Sequence, residues 1–230
     1  MIYFKLTLLM VVAIIGLTGC GGAEERKAAY LEKAKLSLEK GDLDKARIDL
    51  KNVLQIDPMV ADAYFQLGKI NDLKKEYIKA FRSYSKAAEL DPDNLEYQAR
   101  FGTYLLLLAG DIDAAIEKRD LILGKDKDNL NGLLLKAAIL LKLKNNVDAM
   151  KVSQEIFSKQ PGHFDNAVFL SSLYQSEKDY DNSIKVLNAS IKQNADSPLL
   201  KHMLASNYLI AGKNELAEQT YIAILENEPE

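Results

Sequence analysis

The sequence predicts an all-α protein made of stacked helix pairs, and three patterns predict it. Small residues recur on a fixed clock: Ala46, Ala80, Ala115, Ala149, Ser183 and Ala217 are spaced 34, 35, 34, 34 and 34 apart. A second series, Ala34, Gly68, Gly102, Ala137, Ser171 and Ala205, is spaced 34, 34, 35, 34 and 34. Pro58, Pro92, Pro161 and Pro229 keep the same time, at offsets of 34, 69 and 68. Within one period the apolar and small residues fall at i, i+3, i+4 and i+7, as in Tyr64, Leu67, Gly68 and Asn71, which makes one packing face of a helix. Both small-residue series slip once, which places one inserted residue between Gly102 and Ala115.

The amino-terminal element stands outside the clock. Met1 to Lys5 carries one positive charge, Leu6 to Gly16 is an uncharged run that is apolar but for Thr7, and "LTG" precedes Cys20, the single cysteine of the chain. An unpaired cysteine can be a buried filler, a reactive thiol or half of an intermolecular disulfide. Its flanks decide, because a short charged segment, an apolar run and small residues form the order of an export signal. The run is too short for a permanent span. "LTGC" at Leu17 to Cys20 resembles the bacterial lipobox. That resemblance implies diacylglyceryl transfer to the Cys20 sulfur, cleavage before it and acylation of the new amino terminus, so that Cys20 becomes a membrane tether. Several acyl chains hold stably where one does not. Gly21 and Gly22 follow, with no Asp at the second mature position, and the resemblance then implies the outer membrane, facing the periplasm.

The periodic elements come next. "GDLD" at Gly41 and "GDID" at Gly110 suit the turn inside a helix pair, with Gly free to adopt positive φ and Asp placed to cap the following helix. Where they stand, the prolines stop the second helix. One pair cannot bury its apolar face alone, so neighbours must stack.

A period of 34 with these markers resembles the tetratricopeptide repeat, a helix-turn-helix unit. The stretch "ADAYFQLGKINDLKKEYIKAFRSYSKAAELDP" carries the pattern best, with Tyr64, Leu67, Gly68, Ala80, Tyr84, Ala87 and Pro92 in consensus places. The resemblance implies a right-handed α-solenoid of about six repeats, starting at Lys27, Ala61, Leu95, Leu130, Phe164 and Pro198. The expected organisation is a signal peptide over 1–19, a lipid-anchored linker over 20–26 and the solenoid over 27–230. Lys127 and Ala195 depart from the closing Pro, and Lys33 and Lys136 occupy places that are usually apolar.

Composition fits a soluble globular remainder, with 48% hydrophobic and 27% charged residues, five prolines and no Trp. Loss of Lys5 with the signal would take the net charge from -3 to -4. Without a dense basic stripe, nucleic acid is not an expected partner. The locally basic "LKKEYIKAFRSYSK" reads as a solvated helix face. No catalytic, cofactor or metal constellation stands out. His163 and His202 are 39 residues apart, and His163, next to Pro161 and Gly162, reads as a turn residue. "DKDNLNG" at Asp126 has Leu130 in place of a calcium ligand and lacks the Gly of the sharp turn.

The expected function is therefore non-catalytic: a scaffold that binds a protein partner and meets the membrane through its lipid. The repeat family implies a concave groove lined by positions 2, 5, 9 and 12 of each first helix. The residues expected there are Leu31, Phe65, Lys69, Ala99, Thr103, Leu106, Leu134, Ala138, Leu141, Val168, Ser172, His202 and Leu209. Apolar anchors with a polar rim suit an extended or helical peptide. The Lys and Asn pattern that clamps a terminal carboxylate in chaperone-binding relatives is absent. Leu106 and Leu141 are expected to tolerate Asp with little loss of stability.

Lipoproteins of similar construction include pilotins of type IV pilus secretins, scaffolds of exopolysaccharide export and long repeat lipoproteins of exosortase systems. "ARIDLKNVLQIDPMVADAYFQLGKI" most resembles the last. The alternative is the anchoring arm of a longer envelope enzyme with its catalytic domain beyond residue 230. At the end, Ala217, Tyr221, Ile224 and Leu225 are expected to lack a covering helix, so that the natural protein continues or docks there.

Overall fold

The computed structural model describes residues 22–226. The expected signal peptide 1–19, Cys20 and Pro229 lie outside them. All regular structure among the described residues is helical. The chain divides into two compact units, one ending at Gly110 and the other starting at Asp111.

Unit 1 holds α1 (22–39), α2 (Leu43–Ile56), α3 (Ala61–Leu73), α4 (Tyr77–Leu90) and α5 (Leu95–Tyr104), which runs on into a π turn at Leu105–Ala109. Unit 2 holds α6 (Ile112–Lys125), α7 (Leu130–Lys142), α8 (Asn146–Lys159), α9 (Phe164–Ser176), α10 (Tyr180–Ile191), α11 (Pro198–Ile210) and α12 (Asn214–Leu225). Five of the six expected repeat starts are the first residues of helices. The exception is α1, already helical at residue 22, so that most of the expected linker 20–26 is helix.

The 34-residue clock is visible as burial. Every member of both small-residue series is buried. Gly68 shows why: a Cβ added there would stand 2.5 Å from the Tyr84 ring, so α3 and α4 cross too closely for any side chain. Gly132 allows the same approach of α7 to Ile122 and Leu123.

Each helix pair turns through one left-handed residue, at Gly41, Lys75, Gly110, Lys144, Lys178 and Gly212. At five of these the next N–H reaches back to the first helix, as in Asp42 N–H to Ser37 O at 2.8 Å and Glu76 N–H to Asn71 O at 2.8 Å, a Schellman closure. Asp42, Asp111, Asn145 and Asp179 then cap the second helices by accepting from Lys45, Ala114, Asp148 and Asn182. Gly110 closes differently, because its N–H bonds to Leu105 O across the π turn. The inserted residue of the third period is absorbed there, widening the last turn of the helix without shifting α6 off its pattern.

The turns that lack Pro are held by side chains. Asp126 accepts from Asp128 N–H at 3.1 Å, and Asn194 Nδ2 donates to Gly162 O at 2.9 Å and to Ser190 O at 3.0 Å. Lys33 stays exposed with its ammonium 5.4 Å from the Tyr30 ring centroid. Within unit 2, Ala217 and Ile224 are buried and Tyr221 is half-buried, which corrects the expectation of an uncovered face. Of those four residues only Leu225, 71% exposed, is left to solvent.

Candidate partner-binding face

In unit 1 three of the six first-helix positions expected to line a groove are core. Phe65 packs against Tyr97 and Tyr84, with ring centroids 4.5 and 5.5 Å away, and is 2% exposed. Ala99 is buried and Leu106 is wholly inaccessible. These three placements correct the sequence reading. The tolerance expected of Leu106 toward Asp falls with them, since a carboxylate there would lose its water without gaining a partner.

Phe65 is covered by Tyr97 of α5, and Tyr104 of the same helix joins it in the core around Tyr84. Tyr97 donates its hydroxyl to Asp62 at 3.3 Å and Tyr104 donates to Asp72 at 2.5 Å, both acids belonging to α3. Burial first, and then Asp62, pushes the Tyr97 phenol up to about 12. Burial and Asp72 raise Tyr104 in the same sense. Both hydroxyls therefore stay protonated donors. The remaining expected residues are accessible: Leu31 and Thr103 are half-buried, and Lys69 is exposed with its ammonium 5.4 Å from the Phe65 ring centroid. Thr103 Oγ1 donates to its own helix at Ala99 O.

Sequence reasoning missed Tyr97 and Tyr104. A signal for Tyr97 was present, because the same place holds the small residues Ala29, Ala63 and Gly132 in other periods. A large ring there has to reach across to the neighbouring first helix.

Unit 2 keeps its row open. Leu134, Ala138, Leu141 and Val168 are half-buried, while Ser172, His202 and Leu209 are exposed. Leu134 and Val168 lean on the cores around Leu133 and Leu170. Ser172 Oγ donates to Val168 O at 2.8 Å, and the His202 ring lies 6.1 Å from that of Tyr221. Leu209 is 49% exposed. His163 sits apart from this row and caps α9, its Nδ1 accepting from Asn166 N–H at 3.2 Å. The described residues hold no group of three or more His, Cys, Asp or Glu that could ligate a metal. The face offers methyl and methylene surface with scattered hydroxyl and imidazole groups, which is chemistry for binding a side chain.

Family models for the tetratricopeptide repeat match residues 28–58, 61–94 and 165–197. A type IV pilus assembly protein of Pseudomonas aeruginosa, PilF, is 28% identical over 109 residues, covering 42% of this chain and 43% of that protein. Mouse tetratricopeptide repeat protein 12 is 34% identical over 74 residues, covering 32% of this chain and 10% of its own length. The chain thus spans less than half of the curated relatives it matches. Among solved structures, a thermophilic repeat protein of Thermus thermophilus aligns with a TM-score of 0.61 at 18% identity, over 74% of this chain and 93% of its own. The type IV pilus biogenesis factor PilW aligns at 0.59 and 15% identity, over 87% and 93% of the two chains. Pseudomonas aeruginosa PilF aligns at 0.54 and 16% identity, over 88% and 92%. At these identities the likeness is one of fold.

Proposed function

We propose that this chain, which is built of tetratricopeptide repeats, is a non-catalytic scaffold that grips an extended or helical peptide segment of a protein partner. The observation that carries the reading is the row Leu141, Ser172, His202 and Leu209 of unit 2, left accessible on helices whose opposite faces are packed. Apolar anchors with polar neighbours fit a peptide that buries alternate or every-third side chains. The finer parts of the proposal rest on other grounds. Tethering through an acylated Cys20 rests on the lipobox-like "LTGC", and a role in pilus assembly rests on the local likeness to the Pseudomonas protein of that name.

Changing Leu141 and Leu209 together to Asp tests the binding face. Both side chains already meet water, so the melting temperature should fall by no more than about 3 °C, the shift that about 1 kcal/mol produces in a chain of this size. Partners that co-purify from envelope extracts with the wild type should be lost. A folded double variant that retains every partner would overturn the assignment. Labelled palmitate, incorporated by the wild type and not by Cys20→Ala, tests the anchor separately.

A further inference from the structure

Unit 1 carries an apolar surface of its own. Leu73 (69% exposed), Tyr77 (49%), Ile78 (62%), Leu107 (70%) and Leu108 (44%) all lie where first helices end and second helices begin. Their adjacency follows from topology: α4 leaves this edge at Tyr77, α5 returns to it, and the π turn that ends α5 packs against α4. The inserted residue lies in this turn, which carries the two leucines at the tip.

Around the turn between α3 and α4 the surroundings carry more cations than acids, Arg47, Lys74, Lys75, Lys79 and Arg82 against Asp44, Asp72 and Glu76, while Asp111 follows the tip as a helix cap. Arg47, Lys74, Lys75, Lys79 and Arg82 face only Asp44 and Glu76 in the described ion pairs. Lys74 pairs with Asp44, while Arg47 and Lys79 share the one carboxylate of Glu76 at 3.3 and 2.9 Å. Lys75, held in the left-handed turn, and the exposed Arg82 have no acid in those pairs. This positive edge belongs to a chain whose net charge is -3.

Apolar tips beside a surplus of cations, with a tyrosine among them, match an interface whose interior is hydrocarbon and whose surface is anionic. The side chains stand exposed at helix ends, where a broad boundary can receive all of them at once. We propose that this edge of unit 1 docks on an anionic lipid bilayer. Leu73, Ile78, Leu107 and Leu108 enter the headgroup and acyl boundary, while Lys75, Lys79 and Arg82 meet lipid phosphates. The contact would hold the scaffold in one orientation, whether or not a lipid tether is also present.

The absence of Trp from the sequence makes a clean test possible. Leu107→Trp places a single reporter at the tip, and Met59→Trp places one at the opposite edge of the same unit, where Met59 is 67% exposed. Each full-length variant is reconstituted with vesicles of phosphatidylethanolamine and phosphatidylglycerol, some containing brominated acyl chains. The expected result is a blue-shifted emission from the Leu107→Trp protein, quenched severalfold more by brominated lipid than the emission of the Met59→Trp protein. Vesicles of phosphatidylcholine alone should largely abolish the difference, as should Lys75→Glu, Lys79→Glu and Arg82→Glu combined. Equal quenching of the two variants would overturn the proposal, as would an unquenched tip reporter on protein that floats with the vesicles. Quenching untouched by charge reversal would overturn it too, and so would a blue shift of the tip reporter that appears only on adding an acidic peptide. Failure of the palmitate test leaves this readout intact, so the two ideas fall separately.

Discussion

Lys75, Lys144 and Lys178 occupy the left-handed turn position with φ of 58°, 63° and 61°, where Gly41, Gly110 and Gly212 stand in the other three repeats. A side chain in that region costs about 1 kcal/mol through the clash of Cβ with the following carbonyl. Glycine avoids the clash and gives back part of the gain as unfolded-state entropy. The double change Lys144→Gly and Lys178→Gly should therefore raise the melting temperature by about 2–4 °C, the shift expected for about 1 kcal/mol. Thermal unfolding followed by circular dichroism checks it, and an unchanged or lower midpoint would mean that these lysines make contacts worth more than the strain. The residues of the small series were legible for a related reason. Gly68 and Ala80 stand where helices touch, and contact distance admits few side chains whatever surrounds them.

At the scale of the element, the informative piece is the end of α5. One residue more than the period requires enters between Gly102 and Ala115, and the chain accommodates it as a π turn before Gly110. Deleting Ala109 removes the surplus and restores the 34-residue spacing. Leu107 then corresponds to Leu73, which is equally exposed, at 69% against 70%. The shortened chain should keep its helical circular dichroism and melt at or above the wild-type temperature, because a π turn has poorer backbone geometry than the α turn that replaces it. A melting temperature several degrees lower would show that the buried Leu105 and Leu106 depend on the wider turn for their packing. The slip itself was readable from two residue series, but its form was not. Spacing counts residues, and the choice between a longer loop and a wider helix turn is settled by which backbone groups find partners.

For the molecule as a whole, each unit has its own core. Leu50 and Val53 pack with Leu67 and Ile70 in unit 1, and Leu187 packs with Leu170, Leu200 and Leu204 in unit 2. Stability in stacked repeats is carried between neighbours, so a cavity should weaken its own surroundings first. Leu187→Ala, a fully buried truncation, should cost about 2–5 kcal/mol locally. Amide hydrogen exchange should then quicken in α9, α10 and α11 while α2, α3 and α4 keep wild-type protection. Uniform loss of protection over all six helices would show one cooperative block in place of neighbour-by-neighbour stability.

Taken alone, the sequence determined the helix-turn-helix period, the starts of α3, α5, α7, α9 and α11, the turns at Gly41 and Gly110 and the buried small residues. All of these depend on spacing along one chain, where a period of 34 and the dihedral freedom of Gly leave little choice. Only the tertiary structure decided which groove positions meet solvent. Phe65, Ala99 and Leu106 share a helix face with residues that remain accessible, yet they are buried in unit 1. Tyr97 and Tyr104 reach the adjacent first helix, and their hydroxyls find Asp62 and Asp72 there. Leu141 and Leu209 of unit 2 stay accessible at the helical position that Leu106 holds in unit 1. Helical periodicity assigns a side chain its direction, but exposure depends on the size and hydrogen bonding of the side chain opposite, and that neighbour is set by packing between repeats.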